Sequence, residues 1–281
     1  MCVPCGACCI SDKSDEKGMA PIKSAMWFQL PEDNAKSGRG GSSPSSTDRR
    51  IELEGGWAYT GQWLGSNRHG RGIISRPDGG IYDGEFREDR ASGYGKFTHA
   101  NGDVYEGQWL DDKAHGSGKF LHADGSAYEG EWKHDTKDGH GFETWADGSQ
   151  FEGEYRNGKK HGYGVFTSSD SSVFRGQFLD DAMDGEGAYK FHDGRSYRGE
   201  WQASQMHGNG CMSWPDGREY TGLFSSDRME GEGTFKWPDG RCYEGQWKDG
   251  KQHGRARYSD GKGRSRDGEW VEGKRKRWVE S

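Results

Sequence analysis

Aliphatic side chains are scarce in this 281-residue sequence, with 7 Leu, 6 Ile and 6 Val. That scarcity excludes a leucine-lined helical domain. A chain so poor in Leu, Ile, Val and Phe ordinarily reads as disordered. No stretch approaches the roughly 18 consecutive apolar residues of a membrane-crossing helix. The N-terminus has no basic region followed by an apolar one, so no secretory signal is expected. Cysteine is sparse too, and four of the six (Cys2, Cys5, Cys8, Cys9) crowd into the first nine residues. That is not the spacing of a disulfide framework, and no Asn-x-Ser/Thr acceptor occurs. A reducing, cytoplasmic setting is expected. Residues 51–250 hold a strong excess of acid over base, which argues against nucleic acid as a partner.

Aromatics and glycine take the place of aliphatics: 12 Trp, 12 Tyr, 12 Phe and 48 Gly. They recur with a fixed period. Tyr59, Tyr82, Tyr105, Tyr128, Phe151, Phe174, Tyr197, Tyr220 and Tyr243 stand 23 residues apart without interruption. Two residues after each comes glycine, and two further on a second ring, from Trp63 to Trp247. Glycine returns eleven residues after the first ring in every copy. It returns at thirteen in all but the last, where Ala256 stands. A tenth copy is degraded, with Arg266 in place of the ring but Gly268 and Trp270 retained. Ile51, Leu53 and Gly56 fit the second half of a copy upstream.

Tyr-x-Gly-x-Trp has period two, so its ring, glycine and ring share one face of a strand. Gly-x-Gly-x-ring alternates likewise, predicting a second strand, with a five-residue polar segment between the two. Asp-Gly and Asn-Gly pairs such as Asp78-Gly79 and Asn101-Gly102 predict the turns between repeats. The glycines leave room for neighbouring rings to lie flat. The expected fold is all-β: an elongated, single-layer antiparallel meander of about nine to ten repeats. At about 4.8 Å per strand, each repeat advances the sheet by 9–10 Å and the whole by roughly 90 Å. Residues 1–50 read as a flexible, Cys-rich extension and linker, and 51–281 as the repeat rod with a basic tail.

Tyr105-Glu-Gly107-Gln-Trp109, His115-Gly116-Ser-Gly118 and Asp124-Gly125 resemble the MORN (membrane occupation and recognition nexus) repeat. The resemblance implies an elongated, twisted β-sheet scaffold. Some members of that family bind partner helices in an aromatic groove, some dimerise, and members occur in cilia, flagella and cytoskeletal structures. It implies no cofactor.

The candidate partner groove comprises Tyr59, Trp63, Tyr82, Phe86, Tyr105, Trp109, Tyr128, Trp132, Tyr197, Trp201, Tyr220, Phe224, Tyr243 and Trp247. An open ring-lined face marks a partner site, for an amphipathic helix, a cytoskeletal component or a second copy. Cys2, Cys5, Cys8 and Cys9 suit S-acylation, with a metal site or no modification as alternatives. Lys274, Arg275, Lys276 and Arg277 suit contact with an acidic protein or lipid surface, or a solvated cap on the last strand. Met26-Trp27-Phe28-Gln29-Leu30 interrupts the polar linker and suits docking on the sheet's own edge or groove, or on a partner. Ten residues after the first ring, His69, His115, His161, His207 and His253 alternate with Ser92, Asp138, Asp184 and Glu230. Successive histidines would stand about 19 Å apart along the sheet, too far to share a metal held at about 2 Å. They read as residues that tie down a bend. No catalytic constellation stands clear of the repeat. The expected role is a non-enzymatic scaffold in a cytoskeletal or ciliary assembly, and the alternative is a membrane tether on the cytoplasmic face.

Overall fold

The computed structural model describes residues 45–279, and their side chains from residue 50 onward. Among these, 21 strands form one open antiparallel sheet. Each strand pairs with the strands before and after it in sequence. The sheet starts at β1 (Ser45–Glu52), six residues before the expected boundary at 51. A one-turn 3-10 segment (Glu54–Gly56) follows. The regular hairpins then begin with β2 (Ala58–Leu64) and β3 (Asn67–Ser75), and the sheet ends at β21 (Lys274–Trp278).

One repeat is one hairpin, illustrated by β4 (Ile81–Arg87) and β5 (Arg90–Thr98). The polar segment between its strands is shorter than expected. It is a two-residue turn, Glu88-Asp89, with φ of 50° and 68°. Both central residues are left-handed, as in the turn that matches strand twist. The remaining polar residues prolong the strands past a bulge, where the register shifts between Gly84 and Phe86. Gly93, the glycine at offset eleven, lies in that bulge with φ of 93°, a conformation that costs an L side chain. Between repeats the chain turns more widely: Gly79 N–H donates to Arg76 O, and Arg76 N–H to Gly80 O.

A single layer has no second sheet to pack against, so the core runs within one face. The first ring of each repeat lies across the paired glycines. A Cβ on Gly107 would sit 2.7 Å from Ser117 O and 2.9 Å from the Tyr105 hydroxyl. The nine first rings are 0–3% exposed, which gives this thin sheet a continuous apolar spine. Trp270 of the degraded tenth copy extends it, edge-on to Tyr243 at 5.1 Å.

Candidate functional site

The tyrosines of the expected groove form its floor. Their hydroxyls donate to the carbonyl three residues on, as Tyr59 to Gln62, Tyr105 to Gln108 and Tyr243 to Gln246, at 2.8–2.9 Å. Tyr82, Tyr128, Tyr197 and Tyr220 do the same. Burial raises these phenols, to about 12 at Tyr59 and Tyr243 and further at the others. The second rings stand edge-on between successive tyrosines. Trp109 lies 5.0 Å from Tyr105 and 5.1 Å from Tyr82, and Phe224 lies 5.1 Å from both Tyr197 and Tyr220. The indoles of Trp109, Trp132, Trp201 and Trp247 donate to a glycine carbonyl of the preceding repeat. Trp63, with only β1 before it, has no such partner. Phe86, Trp201, Phe224 and Trp247 are buried, whereas Trp63, Trp109 and Trp132 are half-buried.

Turn residues staple one repeat to the next. The Asp112 carboxylate accepts from Ala91 N–H at 2.8 Å, while Asp112 N–H donates to Ala91 O. Asp89, Asp135, Asp181 and Asp227 repeat the contact. Within a repeat, a Gln or Glu three residues after the first ring caps the bulge: Gln108 accepts from Ser117 N–H at 3.0 Å. In the alternating column only the acids form such joints, while His69, His115 and His161 leave Nδ1 buried without a hydrogen-bond partner. Asp138, Asp184 and Glu230 accept from turn amides of the following repeat. Among the described residues no cluster of His, Cys, Asp and Glu could hold a metal.

The open surface above the floor is built from positions that vary between copies. Nine residues after the first ring stand Arg68, Ala91, Ala114, Lys137, Lys160, Met183, Met206, Met229 and Gln252. Each faces its repeat's second ring across the hairpin, as Met206 faces Trp201. These substitutions divide the groove into three parts. Around Ala91 and Ala114 it is a hollow of about 600 Å³, walled by Tyr82, Phe86, Phe97, Trp109, Phe120 and Trp132 and rimmed by Asp89, Asp112 and Asp135. In the middle it is polar. Glu143 stands where other copies have a ring or aliphatic side chain, accepts from the Tyr155 hydroxyl at 2.7 Å and pairs with Lys137. Burial, and then Glu143, drive the Tyr155 phenol upward. Lys160 lies beneath Trp145 at 4.6 Å, and its burial lowers the ammonium.

The third part is a uniform ledge. Met183, Met206 and Met229 are half-buried along one end of three strands, and Phe191, Trp214 and Trp237 are half-buried at the other end of the same strands. Arg195, Arg218 and Arg241 stack on those three rings at 4.7, 5.3 and 5.3 Å. Each arginine is also held by an aspartate two residues earlier. Three successive repeats thus present the same methionine, ring and arginine.

The sequence matches the MORN repeat in nine consecutive blocks, 59–81, 82–104, 105–127, 128–150, 151–173, 174–194, 197–217, 220–240 and 243–263. This chain belongs to the MORN-repeat family. A comparison with curated proteins gives no match. Among solved structures, the MORN sheet is similar to the Drosophila melanogaster SAS-4 TCP domain complexed with an Ana2 proline-rich motif. The identity is 12%, the TM-score 0.36, and the overlap covers 67% of this chain and 99% of that one. It is also similar to the CPAP G-box domain (13%, TM-score 0.40, 72% and 100% covered). A third is the TCP10 domain of Danio rerio CPAP (12%, TM-score 0.37, 77% and 96% covered).

The basic segment beyond the MORN blocks is the edge strand β21, paired with β20 (Ser265–Val271). Lys274, Arg275, Lys276 and Arg277 are all exposed. Arg277 pairs with Glu269 at 2.7 Å, and Arg275 stacks on Trp278 at 4.2 Å. Charge on an edge strand resists pairing with another sheet. Cys2, Cys5, Cys8, Cys9 and the Met26–Leu30 block lie outside the described residues. The methionine and aromatic ledge was not among the residues singled out from sequence. Its signal is variation at an otherwise regular register position.

Proposed function

We propose that this MORN-repeat protein is a non-enzymatic scaffold that holds an amphipathic helix of a partner protein on the ledge of repeats six to eight. The carrying observation is the threefold recurrence of methionine, ring and stacked arginine there. Met is a polarizable, adaptable contact residue suited to binding surfaces. Trp and Arg are the residue types that dominate interface energetics. The spacing fits a helix. One repeat advances the sheet by about 9.6 Å, and seven helical residues advance a helix by about 10.5 Å. Partner side chains at i, i+7 and i+14 would therefore meet three successive methionines.

Cytoskeletal or ciliary placement is part of this reading. The second reading, a membrane tether, is favoured by the N-terminal cysteines and the four exposed bases of β21. Detergent fractionation of cells expressing the native chain, a Met206→Glu/Trp214→Ala variant and a Cys2/Cys5/Cys8/Cys9→Ser variant separates the two. The scaffold reading expects the native and cysteine variants in the detergent-insoluble pellet and the ledge variant released. If detergent frees the native form and only the cysteine variant is already soluble, the tether reading replaces it.

A further inference from the structure

The groove's first part differs from its third. Ala91 and Ala114 leave a hollow where the later copies carry lysine or methionine. Its floor of Tyr82, Phe97 and Tyr105 is buried, half-buried Trp109, Phe120 and Trp132 line its side, and Arg68 and Arg76 share its rim with Asp89, Asp112 and Asp135. A ring-lined hollow of about 600 Å³ with a charged rim is within the usual size of a binding site.

We propose that this hollow receives the chain's own Met26-Trp27-Phe28-Gln29-Leu30 block, and that the ledge of repeats six to eight remains for another protein. Connectivity selects this occupant. Fourteen residues, 31–44, separate Leu30 from the first strand residue, Ser45. Ser45 pairs with Trp63, so the linker joins the sheet at the strand end where the groove residues stand. It is rich in Gly and Ser, and the polymer relation for such a composition gives fourteen residues a root-mean-square span of about 20 Å.

Ala91 lies in β5 and Ala114 in β7 (Lys113–Leu121), four and six strands from β1, or about 19 and 29 Å across the sheet. Met183, in β13 (Ala182–Lys190), is twelve strands away, or about 58 Å. The linker cannot reach that far, because fully extended it spans at most about 50 Å. A short flexible tether holds its end at millimolar effective concentration, so weak apolar contact suffices for occupancy. The proposal concerns repeats two to four and stands whether or not a partner binds the ledge.

The test places the photoreactive residue p-benzoylphenylalanine in place of Trp27 in the full chain, irradiates dilute protein and maps the adducts by mass spectrometry. A second sample carries Ala91→Lys and Ala114→Lys as well. Lysine already occupies this register position at Lys137 and Lys160, so the fold accommodates it. Adducts within one chain, confined to residues 82–132, are expected, with their yield independent of protein concentration. The lysine variant is expected to lower that yield by about fivefold or more, because the tether still supplies proximity but not contact. No adduct to the sheet, adducts mapped to repeats six to eight, or an unchanged yield in the lysine variant would overturn the proposal. Two-chain adducts that grow with concentration would replace the tethered segment by a second copy. Repeating the irradiation in the Met206→Glu/Trp214→Ala background separates this proposal from the partner reading, since these adducts are expected to persist there.

Discussion

Gly107 faces Gly118 across its hairpin, and a methyl group on it has only backbone and the Tyr105 ring to meet. Overpacking of a closed site costs about 1–3 kcal/mol. Gly107→Ala is therefore expected to lower the thermal midpoint clearly, while Ser117→Ala on the exposed face leaves it nearly unchanged; calorimetry on the two variants checks this. The buried phenols give a second residue-scale expectation. Their pKa is raised in the folded state, to about 12 at Tyr59 and Tyr243. The stability they confer is thus complete below the ordinary phenol value of about 10 and is lost as pH rises through the folded value. A spectrophotometric titration followed alongside the β-sheet signal checks this. The floor tyrosines should ionise only together with loss of the β-sheet signal. Smooth ionisation of all twelve near pH 10 would mean the floor is open to solvent.

At the scale of the element, each hairpin is held to the next by a turn aspartate as well as by the strand ladder. Asp135 accepts from Ala114 N–H at 2.7 Å. Removing that acceptor leaves a part-buried amide unpaired, at a cost of about 1–3 kcal/mol. Asp135→Ala should lower the urea midpoint, and Asp135→Asn, which keeps an acceptor oxygen, should restore most of it. An Asn variant as weak as the Ala variant would show that charge rather than the hydrogen bond carries the joint. These joints were only partly legible in the sequence. Period-two alternation and constant glycine placed the strands and their common face. The two-residue turns were missed because the residues around them, Arg87 to Arg90 for instance, are polar and read equally as loop or as edge-on strand. The bulge explains why glycine recurs at offset eleven, and a bulge has no signature separate from that glycine. The Gln or Glu that caps it has no signature of its own, since its polar character suits a solvent-facing strand position equally.

For the whole molecule, constancy and variation along the array separate fold from surface. Positions that repeat, the tyrosine, the glycine pair and the second ring, build the floor, and the groove nominated from sequence consisted of its rings. Positions that vary decide what the groove offers: alanine hollow, polar middle, methionine ledge. A single-layer array is stabilised mainly by nearest-neighbour contacts, so these parts can change without disturbing the spine beneath them. The polar centre at Lys137, Glu143 and Tyr155 marks their boundary.

The central claim is that the methionine ledge, and not the sheet's opposite face, meets a partner. It is tested most directly by placing a photoreactive side chain at Met206, or at exposed Asn209 on the other face of the same strand, in the full chain within cells. The account predicts one discrete protein adduct from the Met206 position. That adduct should be absent from the Asn209 position and lost when Trp214→Ala and Trp237→Ala are added. Equal labelling from both faces, or an adduct indifferent to the two tryptophans, would contradict it.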